Sequence, residues 1–303
     1  MSRGKFPLVP TLLSLPRLLR PKINLGKLDK KVVFVLSTGR TGTQFLAHYF
    51  NEYPDVFAVH EPPPSWRLRM WSMAFVQGRT STPVLRRVIN KFRGRSISRL
   101  TEPVYLESNN FAVGFAPAIK AEFKNAVIIH VVRDPRDYIT SALNHGADSG
   151  LKGLANRYFP YWHLRSGLWA NPKEIFERTA RYWTIVDELL SSAGRGYPHY
   201  YRFTFEQLFA ADTKALAEIA KALGLKLRPD AAVRKQEKAN VSRLRVMPNW
   251  PDWTAEQAKI VDKICGAGMK RYGYGREPNW RALLKALSEG AGGAASTGQA
   301  KLK

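Results

Sequence analysis

The sequence predicts an α/β protein with a mostly parallel central sheet covered on both faces. Three observations point there. Valine-rich runs at 32–36, 56–59 and 126–132 each lead into a turn or a helix-like stretch, the alternating order of β/α units. The first run opens directly into Ser37-Thr-Gly-Arg-Thr-Gly-Thr43, a glycine-rich turn ahead of the helix-like Gln44-Phe-Leu-Ala-His-Tyr-Phe50. The third ends at Arg133-Asp-Pro-Arg-Asp137, where Asp134 suits an N-cap, Pro135 the first helical position and Asp137 the third, a variant of the capping box.

Taken in chain order, residues 1–29 form a basic, proline-punctuated arm with six Lys or Arg before the first acid, Asp29. Its apolar run, Phe6 to Pro16, is too short and too broken by prolines to span a membrane. No small-residue cleavage site follows it, so an arm packed on or beside a domain is expected rather than a signal peptide. Residues 30–285 read as one domain. Within it, 66–100 carries nine Lys or Arg and no acid, interleaved with Trp66, Trp71, Phe75 and Phe92. This predicts an amphipathic helical insertion with a basic face, which could also meet acidic or sugar-like acceptors or single-stranded nucleic acid. Tyr197–Phe205 reads as a further strand. Asp212–Gly224 reads as a helix with Leu216, Ile219, Ala220 and Leu223 on one stripe and Gly224 as its stop. Residues 286–303 have little to bury and are expected to be disordered.

Of 303 residues, 48 are Lys or Arg and 24 Asp or Glu, a formal charge of +24 that attracts polyanions without choosing among them. Cys265 is the single cysteine, which rules out an intrachain disulfide and favours a reducing, cytoplasmic setting, with peripheral contact to an anionic membrane as an option. No His/Cys cluster has metal-ligand spacing, and no metal is expected.

The 37–44 turn suits an anion. Gly39 and Gly42 allow successive backbone N–H groups to face one ligand at a helix N-terminus, Thr41 and Thr43 add hydroxyls, and Arg40 adds a fixed charge. Arg133 follows a buried strand at its carboxyl end, where open α/β sheets bind ligands, and Ser141 lies about two turns into the next helix.

Together these segments resemble the sulfotransferase family that uses 3′-phosphoadenosine-5′-phosphosulfate (PAPS). Gly39-Arg40-Thr41-Gly42-Thr43-Gln44 is similar to its 5′-phosphosulfate loop, and Arg133 with Ser141 to its 3′-phosphate motif. Phe203-Thr-Phe-Glu-Gln-Leu208 and Tyr272-Gly-Tyr274 extend the likeness over roughly residues 30–275. The resemblance implies the P-loop NTPase-like, three-layer sulfotransferase fold. It also implies a PAPS-dependent transfer to a hydroxyl-bearing acceptor, with an acidic glycan, a glycolipid or a small molecule in view and nucleic acid disfavoured. Arg40, Thr41, Gly42, Thr43 and Gln44 would hold the 5′ group, and Arg133 and Ser141 the 3′-phosphate. Gln44 stands where the family usually has threonine. Phe205 stands for a tyrosine near the adenine.

Sulfuryl transfer needs a proton acceptor, charge stabilisation and neutralisation of the leaving phosphate. By resemblance to members that use a glutamate after the second strand, Glu61 is the expected base, with Arg40 stabilising charge. His60 is the second choice, expected on the opposite face of the strand from Glu61. Glu107, Ser108 and Asn109 are candidates to line the acceptor side. Lys120, His145 and His163 read as structural or solvated. Two other classes remain open at this point. A P-loop kinase would need Gly-Lys-Ser/Thr and a Mg²⁺ site, and a non-catalytic protein binding lipid or nucleic acid would need neither Glu61 nor the Arg133–Ser141 pair.

Overall fold

Strands rich in apolar residues can be buried on both sides of the pleat, and the three central strands here are, while the two outer ones are buried only in part. In the computed structural model, which describes residues 23–145, 171–229 and 246–293, the strands are β1 (Lys31–Ser37), β2 (Val56–His60), β3 (Val104–Ser108), β4 (Val127–Val132) and β5 (Tyr200–Thr204). They form one sheet in the order β2-β3-β1-β4-β5. β1 pairs in parallel with β3 (Lys31↔Val104) and with β4 (Val33↔Val127), and β2 pairs in parallel with β3 (Val56↔Val104). The expected mostly parallel α/β architecture is therefore present.

The described residues divide into two compact units. The first takes the chain through Val131, then Leu189–Phe203 and the described residues from Gln207; the second takes Val132–Glu188, Thr204–Glu206 and the described C-terminal residues. In the first unit, Val33, Val35, Val56, Ala58, Leu106 and Ile129 present one face of the sheet to helix α1 (Thr43–Phe50) and to the helix Lys214–Leu223. The predicted stripe Leu216, Ile219, Ala220 and Leu223 is buried in that layer. On the other face Phe34 meets Tyr105 and Phe123 with ring centroids 6.3 and 6.0 Å apart.

Between β2 and β3 the chain is helical: α2 (Ser65–Val76), α3 (Thr82–Ile89), a π-helical turn at Asn90–Gly94, and α4 (Arg95–Ser98). A 3₁₀ stretch, Asn110–Phe115, and α5 (Ala116–Glu122) then lead to β4. β3 is absent from the strands expected above. Its Val-Tyr-Leu-Glu-Ser carries a glutamate in a fully buried strand, which hides the apolar signal.

The second unit begins with α6 (Pro135–Asn144). Asp134 caps it, but its carboxylate accepts from Arg136 N at 2.9 Å, not from the third helical residue of the expected capping box. Arg136 is 1 % exposed and forks onto Asp134 (Nη2–Oδ2 2.5 Å) and Glu277 (Nη1–Oε2 2.8 Å), with Trp250 and Trp280 rings 4.1 and 5.0 Å from its guanidinium carbon. Asp187 accepts from Arg271 Nη1 at 2.8 Å and from the Tyr272 hydroxyl. Cys265 is buried and its thiol is pushed up to about 12 by desolvation, so it is chemically quiet.

The C-terminal helix runs Pro278–Gly293, past residue 285, the expected end of the domain. The N-terminal arm to residue 22, His163 and the tail from residue 294 lie outside the described residues. No helix among the described residues is long and apolar enough to cross a membrane.

Candidate active site

The sheet brings three strand ends to one edge. The chain proceeds to β2 and β3 on one side of β1 and to β4 and β5 on the other, so β1 is where the strand order reverses. Ligands of open α/β sheets bind outside the carboxyl ends at such a point. Glu61 N donates to Ser108 O and Asn109 N to Val35 O, each at 2.9 Å. The residues following β1, β2 and β3 are thereby held level with one another.

The turn after β1 is tightly wound. Gly39, Arg40 and Gly42 have φ of 83°, 57° and 73°. A non-glycine residue in this region is strained, and such strain concentrates at functional turns. Ser37 Oγ ties the turn, accepting from Gly39 N at 3.0 Å and from Thr41 Oγ1 at 2.8 Å. Thr41 was expected to offer its hydroxyl to an anion. It is 0 % exposed and gives that proton to Ser37, so its hydroxyl braces the turn from within. Thr43 is buried in the first turn of α1, and Arg40 and Gln44 are half-buried. Gly42 is the N-cap and no side chain caps α1, so donors at this helix end are left to the turn and to whatever it holds.

Glu61 stands against this turn through Asn110. Its carboxylate accepts a hydrogen bond from the Asn110 side chain. The same amide packs so closely on Gly39 that a Cβ there would lie 2.8 Å from Asn110 Nδ2, and this close approach requires glycine. Burial pushes the Glu61 carboxyl above its ordinary value, while Asn110 and the Arg69 guanidinium oppose the shift. Arg69 is itself buried, 4.9 Å over the Phe111 ring.

His60 is not on the opposite side from Glu61. Strand alternation ends at His60, and Glu61 turns to φ 44°, which swings its Oε1 to 3.9 Å from His60 Nε2. His60 Nδ1 lies 3.1 Å from Ser108 Oγ. Burial and neighbouring His48 hold the imidazole below its usual value, so it is neutral at neutral pH.

One expectation nearby gives way to a structural role, while Lys120 and His145 have the structural or solvated roles expected of them. Glu107 does not face an acceptor. It is 0 % exposed, bound by Arg93 at 2.6 and 2.8 Å, by the Tyr105 hydroxyl at 2.5 Å and by Asn109 Nδ2 at 2.6 Å. Lys120 donates to Ala193 O, near the C-terminus of the helix Pro172–Gly194, and lies 4.7 Å over the Tyr197 ring. His145 caps the C-terminus of α6 and is exposed. Asn110 was missed by sequence reasoning, although Glu107-Ser-Asn-Asn110 put two amides immediately beyond a strand end.

In the second unit, Arg133 follows β4 and is half-buried, with its guanidinium carbon 4.6 Å over the Phe205 ring. Its carbonyl accepts from Trp183 Nε1 at 2.8 Å. Two of the segments quoted for the family likeness, those containing Arg133 and Phe205, are therefore in contact. Ser141 is half-buried on α6. Tyr274 of the third segment donates to Glu206 at 2.6 Å.

A family model for the sulfotransferase domain matches residues 30–249. Among solved structures, the sulfotransferase from Alicyclobacillus acidocaldarius is 15% identical with a TM-score of 0.51, covering 83% of this chain and 99% of that one. The mouse sulfotransferase SULT7A1 complexed with PAP is also 15% identical, with a TM-score of 0.49, covering 86% of this chain and 93% of that one. A search of curated proteins gives no match. The likeness to the Alicyclobacillus structure bears on the fold.

Proposed function

Because this chain belongs to the sulfotransferase domain family and sulfuryl transfer is its activity class, we propose that its donor is PAPS, that its acceptor is a hydroxyl, and that Glu61 is the general base. One observation carries the assignment of the base: Glu61 is held by Asn110 against Gly39 of the glycine-rich turn. In this reading the turn's amides and Arg40 hold the donor's 5′-phosphosulfate, with Gly42, Thr43 and Gln44 at the helix end and Thr41 bracing the turn through its bond to Ser37. Arg133 and Ser141 take the 3′-phosphate.

The donor supplies an activated sulfuryl group. Glu61 removes the acceptor's hydroxyl proton as the oxygen attacks sulfur, one S–O bond forming and the bond to the 5′-phosphate breaking. Arg40 and the loop amides bear the charge that collects on the departing phosphate of PAP. The raised affinity of Glu61 for a proton suits this role, since a base works best with a pKa near the working pH. A glycan, glycolipid or small-molecule hydroxyl all fit this chemistry.

Glu61→Gln should leave the dissociation constant of PAP unchanged and lower kcat by about 100-fold or more. Retained turnover would move the base to another group, His60 first. Arg133→Ala should weaken PAP binding while the melting temperature of the free protein stays in place; an unchanged dissociation constant removes Arg133 from the nucleotide site. PAP should raise the melting temperature well above the effect of ATP with Mg²⁺. The reverse order would favour a kinase, which the Gly42-Thr43-Gln44 ending of the turn already disfavours.

A further inference from the structure

α2 has two unlike sides. Ser65, Leu68, Arg69, Ser72 and Met73 are buried, and Gly114 N donates to Ser72 Oγ at 2.7 Å where the helix meets the 3₁₀ stretch. The outer side carries Trp66, Met70 and Trp71, which are 58 %, 45 % and 37 % exposed. They are three of the four large hydrophobic residues exposed among the described residues, and they fall within six positions of one helix. Clustering of this kind marks a contact surface, since singly scattered apolar residues need no explanation.

The electrostatic setting is one-sided. No acid occurs between Glu61 and Glu102. Arg67 lies over the Trp66 ring, 5.1 Å from its centroid. Arg93 is used internally against Glu107, and Arg86, with its side chain still 40 % exposed, pairs with buried Glu122. Arg79, Arg87, Lys91, Arg95 and Arg99 remain exposed in the same segment.

We propose that the outer face of α2 is a docking surface for an anionic lipid bilayer. Indole rings favour the boundary between water and hydrocarbon, and the Met70 thioether adds purely apolar area. Arg67 can lay its stem along the apolar face while its guanidinium reaches a phosphate. A sugar-binding face sets neutral hydrogen-bonding side chains beside its aromatics; here Ser65 and Ser72 are turned inward and the polar group set against the Trp66 ring is the half-buried Arg67 guanidinium. This surface is independent of the catalytic assignment, so it can fail without touching the donor or the base.

The test is co-sedimentation of the full chain with vesicles of phosphatidylcholine alone and of phosphatidylcholine with phosphatidylglycerol. The wild type should pellet with the anionic vesicles. Trp66→Ser/Met70→Ser/Trp71→Ser should lower its partition coefficient by about tenfold or more at unchanged melting temperature. Arg67→Glu should weaken partitioning to the anionic vesicles. Brominated acyl chains should quench wild-type tryptophan emission, an assay that needs no substitution. Equal partitioning of the triple variant and the wild type, absence of the wild type from the pellet, or absence of quenching would each overturn the proposal. So would loss of binding to a single-stranded oligonucleotide in the triple variant with vesicle binding intact.

Discussion

Glu61 is pulled in two directions. Desolvation favours its protonated form, whereas the Asn110 amide and the Arg69 guanidinium favour the carboxylate. If Glu61 must be ionised to accept a proton, the acid limb of the rate profile lies above the ordinary carboxylate range. Asn110→Ala removes a hydrogen bond to the charged form, so the limb should move to higher pH, with the largest loss of rate on the acid side and a recovery as pH rises. A pH series of kcat/KM checks the sign. An unmoved limb combined with a uniform loss would give Asn110 a purely structural role. Gly39→Ala is a different perturbation. It meets both a φ of +83° and the 2.8 Å approach of Asn110 Nδ2, and should cost about 1–3 kcal/mol in urea denaturation. Glu61 was legible as a carboxylate beyond a short strand, but its meeting with His60 was not, because period-two alternation holds only while the backbone stays extended.

β3 shows how an element can escape a pattern-based reading. β1, β2 and β4 announce themselves by valine-rich runs, and the helix Lys214–Leu223 by its stripe and following glycine. In Val104-Tyr-Leu-Glu-Ser108 the glutamate looks like a solvent position. Its partner, Arg93, arrives from the π-helical turn of the basic segment, a pairing that no local pattern encodes. The nine basic residues of 66–100 are thus not a uniform surface: Arg93 is 1 % exposed and its ion pair ties the helical segment to the sheet. Two buried charges repay their desolvation only when both are present. Arg93→Met leaves Glu107 without its guanidinium and should destabilise the protein by about 3–5 kcal/mol. Arg93→Met/Glu107→Gln should recover part of that loss, since no net charge is then left buried. Urea midpoints of the two variants and the wild type decide the matter; equal midpoints for both variants would mean that shape, not charge, dominates at this position.

Across the whole molecule, 48 basic residues against 24 acidic ones leave +24, and internal pairing sharpens the imbalance at the surface. Arg93–Glu107 and Arg136–Asp134 each withdraw one charge of either sign, and Arg86–Glu122 buries the carboxylate while its guanidinium stays partly exposed. The excess therefore stays outside while the carboxylates that would dilute it go in. Composition alone made this field legible but assigned it no ligand; the glycine-rich turn and the family match narrow the choice to an anionic donor. A field of this kind acts mainly on encounter, drawing an anion inward before any specific contact forms. The association rate of PAP, followed by stopped flow, should accordingly fall by about tenfold between 20 and 300 mM salt, as the Debye length shrinks from roughly 20 Å to below 10 Å. Dissociation should change far less if the proposed phosphate contacts hold, since such contacts are short-ranged. Adenosine, which carries no phosphate, should show no such dependence. A flat association rate for PAP, or equal slopes for PAP and adenosine, would mean that the surplus charge serves another partner and not the donor.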